Sequence, residues 1–337
     1  MTVLAGLIRT KSFWAITLFV LSTSLSLLWL QRLSEQTLAI SEPTLMVVES
    51  GSNITHFGQR LIDTGLWTGP LWQLRGIDRI FGRDAPIKIG EYQVLPGTSI
   101  LALFEQLRSG RPYARTLTFP EGWTVAQWQA KLHQADGLLH KTKTMTQAEL
   151  AIAVTRAEAP LEGWLLPETY QYHRGDSDLQ ILEKAHQGMR RYLDQLWQKK
   201  PHQGLANPSE LLTLASVVER ESGINEDRRK IARVFLNRLQ QGMRLQSDPT
   251  IIYGLGAAFD GDLKRRHLTS DGPYNTYTRA GLPPTPICNP GAGALAAVLQ
   301  PADGDWLYFV GRGDGSSQFS LNLAAHNRAV NEYQRRK

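Results

Sequence analysis

The sequence predicts an α+β protein in three parts: an N-terminal transmembrane helix, a small α/β module and a larger α+β domain. Three observations carry this reading. Residues 12–30 hold no charged side chain. From about residue 42, short β-type runs alternate with capped helical stretches. From about residue 160, Gly, Pro and aromatic residues crowd between helices with strong start and stop signals. The boundaries drawn on this basis are 1–11 for a cytoplasmic tail, 12–30 for the anchor, 42–112 for the module, 113–158 for a connecting α/β segment and 159–337 for the large domain.

The run Ser12–Leu30 approaches the roughly 20 residues a helix needs to cross a bilayer. Arg9 and Lys11 precede it and Arg32 follows. This small bias favours a cytoplasmic N-terminus with the bulk of the chain outside. A cleaved signal peptide is the competing reading. Thr37-Leu38-Ala39 is a poor cleavage site, so an uncleaved anchor is expected.

In the module, Leu45–Val48 reads as a strand, and Asn53 can cap a helix running through Leu61-Ile62. Trp67–Phe81 has apolar residues at helical spacing. Gly90–Val94 reads as a second strand. Pro96-Gly97 ends it, Thr98 or Ser99 caps a helix Ile100–Arg108, and Gly110 stops that helix. The pattern around Val48–Leu61 loosely resembles the LysM peptidoglycan-binding module; a plain structural subdomain is the alternative. Thr116–Phe119 is a further strand, followed by a helix with Val125, Trp128 and Leu132 on one face. Residues 134–158 read as a polar, helix-bearing connection.

The large domain opens on the aromatic turn Leu161–Tyr170, suited to sugar rings or to an ordinary core. Asn207-Pro208-Ser209-Glu210 is a strong helix start: a capping Asn, Pro at the first position and Glu three residues after the cap. The helix ends on Glu219, Arg220, Glu221 and Ser222. Glu221 has Val218, Val217 and Leu214 behind it, whereas Glu219 has Ser216, Ala215 and Leu212 and points about 160° away. Glu221 thus has the more apolar surroundings. Desolvation and the negative end of the helix dipole would both raise its pKa, as a general acid near neutrality requires. The alternative is a pair of surface residues on a fraying last turn. Next come a helix Asp227–Gln241, and Gln246–Gly254 with Asp248 as cap, Pro249 first and Gly254 last. Tyr274–Tyr277 and the Pro-rich Gly281–Gly291 form a long, stiff loop. A short helix Gly293–Leu299, a hairpin of Asp305–Val310 with Gln318–Ser320, and a last helix through His326 and Val330 complete the chain.

The composition narrows the function. The net charge of +6 suits solubility or an anionic partner, and no basic block with interleaved aromatics points to nucleic acid. One cysteine, Cys288, permits neither an intramolecular disulfide nor a cysteine zinc site. The eight histidines lack HExxH spacing, so neither metal nor cofactor is expected.

Glu-Ser at a helix end resembles the signature of lysozyme-like lytic transglycosylases. EGWLLPETY, ASVVERES, QSDPTIIYG, YNTYTRAGLPPTPICNPG and WLYFVG, in this order, resemble the endolytic murein transglycosylase (YceG-like) family across about 160–330. Gln318 stands where a His often precedes the Phe, and Ala325 where a Glu often precedes His-Asn. The resemblance implies non-hydrolytic cleavage of the MurNAc–GlcNAc β-1,4 bond of peptidoglycan, leaving 1,6-anhydro ends. Glu221 would be the catalytic residue and Glu219 and Ser222 its support. Gln246, Ser247, Asp248, Tyr253, Tyr274, Asn275 and Tyr277 would line the glycan cleft. It further implies a bacterial inner-membrane protein with a periplasmic catalytic domain, and cell-wall synthases (penicillin-binding proteins) and division machinery as partners. A hydrolytic muramidase and a catalytically silent glycan-binding scaffold are the alternatives.

Overall fold

The structure, a computed structural model, describes residues 2–82, 85–157, 159–198 and 202–334. It is a mixed α+β chain of two compact units: Met1–Arg115 with His173–Gly175, and Thr116–Tyr172 with Asp176–Lys337.

The first unit begins with α1 (Thr2–Ser34). Its Phe13–Ser34 stretch is long and apolar enough to cross a membrane, and its large side chains from Phe13 to Trp29 are exposed. Two strands, β1 (Thr44–Val48) and β2 (Gly90–Val94), pair antiparallel, with Thr44 opposite Val94 and Val48 opposite Gly90. Between them lie α2 (Ile54–Asp63) and α3 (Leu71–Phe81); α4 (Ile100–Ser109) follows. Asn53 caps α2 by accepting the His56 N–H, and Ser99 caps α4 by accepting that of Ala102. The third helix starts at Leu71, not at Trp67. Pro70 holds an extended backbone at its N-cap, and Trp67 is buried in the preceding loop. Leu74, Ile77, Tyr92, Leu103 and Phe104 form the core. Leu30 and Leu33 of α1 are part of it, with Gly76 of α3 leaving room for Leu30.

The second unit has two hydrophobic cores. Its first is built from β3 (Arg115–Thr118), α5 (Val125–His133), α6 (Gln147–Thr155), β4 (Thr169–Tyr172) and the first half of α7 (Asp178–Trp197). β3 pairs with β4, and Phe119 stacks on Trp128 at 3.8 Å. Residues 113–158 therefore share a core with Leu161–Ala185. The sequence reading leaves β4 and α7 unassigned. Yet α7 carries a Ser177/Gln180 capping box and an apolar stripe through Ile181, Ala185 and Met189.

The other core surrounds α8 (Pro208–Glu221), whose residues Leu211–Val218 are all buried. Asn207 accepts the Glu210 N–H, and the Glu210 carboxylate accepts that of Ala206. Packed on α8 are α9 (Asn225–Gln240), α10 (Asp248–Leu255) and α12 (Ala292–Leu299). A short α11 (Arg265–Thr269), the antiparallel hairpin β5 (Tyr308–Gly311) and β6 (Ser317–Ser320), and α13 (Leu323–Tyr333) complete the unit.

Candidate active site

The C-terminal turn of α8 carries the two glutamates. Ser222 ends the helix: its N–H and its hydroxyl both donate to the Val218 carbonyl, and its backbone turns extended. Glu219 and Glu221 then face different environments.

Glu219 is committed to structure. One carboxylate oxygen accepts from the Arg228 guanidinium at 3.2 Å, the other from the Gly291 N–H at 3.0 Å. Burial holds its pKa above the usual carboxylate range despite these two donors. Glu221 keeps part of its surface accessible, but its carboxyl is surrounded by protein atoms. Ser247 Oγ donates to its Oε1 at 2.6 Å. Burial drives its pKa up to about 7. The neighbouring Asp248 adds to the rise, while the Ser247 hydroxyl and Arg238 oppose it. The rise thus comes from desolvation and a like charge.

Ser247 also starts α10, which begins differently from expectation. Ser247, not Asp248, is the N-cap; Asp248 already lies inside the helix, and neither side chain caps it. Committed to Glu221, the Ser247 hydroxyl is unavailable to the helix N-terminus. The helix also runs past Gly254 to Leu255, and Gly256 takes the positive φ of 52°. Gln246 sits at φ 52°, a left-handed conformation that costs a non-glycine residue of the order of 1 kcal/mol. The Gln246 N–H donates to the Thr276 carbonyl and the Ser247 N–H to Thr276 Oγ1, so the two loops lock together.

The remaining sequence-predicted residues divide into two groups. Tyr277 donates to Asp248 Oδ1 at 2.7 Å, Tyr253 stands edge-on to Tyr274 at 5.0 Å, and Tyr274 bonds Thr285 at 2.7 Å. Asn275 is buried, and its amide donates to the carbonyls of His267, Leu268 and Ser270. It pins the loop, and it lines a cavity of about 210 Å³ with Tyr274 and Gly254. Ser222 closes the helix.

Sequence reasoning missed three groups. Glu162 is buried. Its carboxylate accepts from the Val125 N–H, the Asn289 amide and the Tyr253 hydroxyl. Burial pushes its pKa to about 7. It lines a cavity of about 540 Å³ with Tyr253, Pro249 and Arg220. The signal was present, since Glu162 opens the motif EGWLLPETY. Arg238 is also buried, donating to the Leu307 and Leu245 carbonyls at 2.7 Å. Asn289 ties the Pro-rich loop to Trp123 and Leu165. That loop is further stitched to the middle of α8, where Ile287 N–H donates to Ser216 Oγ and Cys288 Sγ to the Ser216 carbonyl. A second cavity, of about 570 Å³, lies beside Glu210 and Thr213, at the other end of α8 and about 16 Å along its axis from Glu221.

Known proteins resemble this chain. The YceG-like family model matches residues 46–332. An endolytic murein transglycosylase of Bacillus subtilis (strain 168) is 33% identical over 263 residues, which is 72% of this chain and 72% of that protein. One of the same name from Streptococcus pneumoniae (serotype 2, strain D39) is 28% identical over 85% of this chain, which spans 57% of that longer protein. The crystal structure of a YceG-like protein from Listeria monocytogenes superposes with a TM-score of 0.55 at 27% identity, covering 86% of this chain and 99% of that one. Agreement over most of the length, in sequence and in fold, places the chain in the YceG-like family.

Proposed function

We propose that the chain is a lytic transglycosylase that cuts peptidoglycan glycan strands internally, with Glu221 as its single acid and base. The observation that carries this is the Glu221 carboxyl itself: desolvated, with a pKa of about 7, and held by one hydroxyl. The two relatives named above are murein transglycosylases, which supports the substrate class.

The chemistry needs one carboxyl. Protonated Glu221 gives its proton to the glycosidic oxygen as the C1–O bond of MurNAc breaks. The carboxylate left behind stabilises the oxocarbenium-like state beside it. It then takes the proton of the C6 hydroxyl as O6 bonds to C1, so Glu221 ends as it began and the product carries a 1,6-anhydro ring. An intramolecular nucleophile already in place removes the need for the second carboxylate of hydrolases. Glu219, engaged by Arg228 and Gly291, is not free for that role. Gln246, Ser247, Asp248, Tyr253, Tyr274 and Tyr277 then border the glycan. Glu162 is the observation that favours a hydrolytic muramidase, since it is a second carboxyl whose pKa lies near 7.

The same reading extends to location. Leu30 and Leu33 lie in the first unit's core, so cleavage behind α1 would strip two core side chains. This supports a retained anchor; the location that goes with it is a single-pass inner-membrane protein with a periplasmic catalytic domain, acting on nascent strands beside cell-wall synthases and the division machinery. The β1–α2–α3–β2 order, with its antiparallel pair, supports a LysM-like module. Digesting purified glycan strands and weighing the products tests the function. Anhydro ends are expected from the native chain and none from Glu221→Gln. Reducing ends would mean a hydrolase, and no products a scaffold.

A further inference from the structure

We propose that the first unit carries a groove for the headgroups of anionic phospholipids, formed by Arg75 and Arg79 of α3 and Arg108 of α4 beside Trp72. This rests on the reading of α1 as a retained anchor. The groove has a volume of about 1070 Å³, and its lining includes Trp72, Arg75, Asp78, Arg79, Pro86 and Arg108. Asp78 is its single acid among the described residues and is consumed by an ion pair with Arg108. Arg75 and Arg79 are exposed and have no ion-pair partner among the described residues. Arg108 is nearly buried; its Nε donates to the Ala85 carbonyl and its Nη1 has no partner. The groove therefore presents an excess of guanidinium groups, which match phosphate geometry through paired N–H donors.

The position of this face selects a lipid over other anions. The Trp29 ring of α1 stacks on Trp72 of α3, with centroids 5.7 Å apart and planes 24° from parallel. Trp29 lies 16 residues after Phe13, where the apolar span begins, which is about 24 Å along the helix. In a hydrocarbon core of about 30 Å this puts Trp29, and Trp72 with it, within about 6 Å of the outer edge, close to the interface where Trp is favoured. Arg75 and Arg79 follow Trp72 at i+3 and i+7, on one face of α3 and within about 10 Å along its axis. That distance is comparable to the Debye length at physiological salt. The groove thus opens where headgroup phosphates are found.

The test uses the full chain in nanodiscs of phosphatidylcholine with a minor fraction of phosphatidylglycerol, and reads by native mass spectrometry which lipids stay bound on release. The native chain should retain phosphatidylglycerol well above its bulk proportion. An arginine beside an anionic surface is worth about fivefold, so R75Q/R79Q should lower the retained ratio by about 25-fold. The pair R265Q/R266Q, which removes the same charge from exposed positions in the second unit, should leave it unchanged. Equal retention in the native chain and R75Q/R79Q, or equal loss in both pairs, overturns the groove. So does displacement of the lipid by millimolar inorganic phosphate, which would mean a site for a free oxyanion. Alkaline washing of membranes reads the anchor separately. A chain that washes off defeats the anchor and the groove together; one that stays but shows no lipid preference defeats the groove alone. Both arginines are exposed, and an unchanged melting curve of R75Q/R79Q verifies the fold.

Discussion

Replacing Glu221 by Gln should stabilise the second unit at neutral pH while abolishing turnover. The carboxyl titrates near its ordinary 4.5 in the unfolded chain and at about 7 in the fold. The folded pKa is raised, so the protonated form is the one the fold tolerates. As pH climbs from 4.5 to 7, the unfolded chain releases this proton while the folded chain holds it, and stability is lost across that window. Above 7 the loss is constant. At about 1.4 kcal/mol per pH unit it amounts to about 3 kcal/mol. Gln is the neutral isostere and can still accept the Ser247 bond. Glu221→Gln should therefore exceed the native chain by about 3 kcal/mol at pH 8 and by less than about 1 kcal/mol at pH 5. Urea unfolding of the second unit at the two pH values measures the gap. Glu162 titrates in both proteins and cancels. Turnover should fall at least about a hundredfold, the usual worth of a positioned acid. A variant that is less stable than the native chain, or equally changed at both pH values, would refute the desolvation reading.

Three further outcomes follow from the same geometry. Ser247→Ala removes a hydroxyl that holds the Glu221 pKa down, and Asp248→Asn removes a charge that pushes it up. The alkaline limb of kcat/KM, expected near pH 7, should therefore move to higher pH in the first and to lower pH in the second. Glu219→Ala strands the Arg228 guanidinium and the Gly291 N–H, and should cost about 3 kcal/mol or more in a melting experiment, with Glu219→Gln milder. Leu33→Ala should cost the first unit about 2–4 kcal/mol, measured by denaturant unfolding of that unit.

What could be read from the sequence was local. The start of α8 is encoded within four residues, Asn207 to Glu210: the structure keeps the Asn207 cap and Pro208 at the first position, while Glu210 reaches back one residue further, to the Ala206 N–H. The burial of Glu221 follows from spacing along one helix. What could not be read is long-range. Ser247 meets Glu221 across 26 residues, and Glu162 gathers donors from 37, 91 and 127 residues away. Nothing in local propensity ranks those pairings. The assignment of Asp248 as a helix cap also failed: Ser247 is the N-cap, and its hydroxyl is spent on a distant carboxyl that local spacing does not show. Asn275 is a further case: its amide serves the carbonyls of His267, Leu268 and Ser270, which spacing does not reveal.

The burial of Leu30 and Leu33 also has a mechanical side. A domain hung from a membrane by a floppy linker samples a hemisphere of positions, and lengthening the linker changes only its reach. Here the apolar helix and the first unit share one core, so they tilt and turn as one body. Extra residues inserted after Ser34 would not lengthen a leash, because the joint lies upstream of them. With α1 as the proposed anchor, the bilayer would act for the first unit as a stage of fixed height.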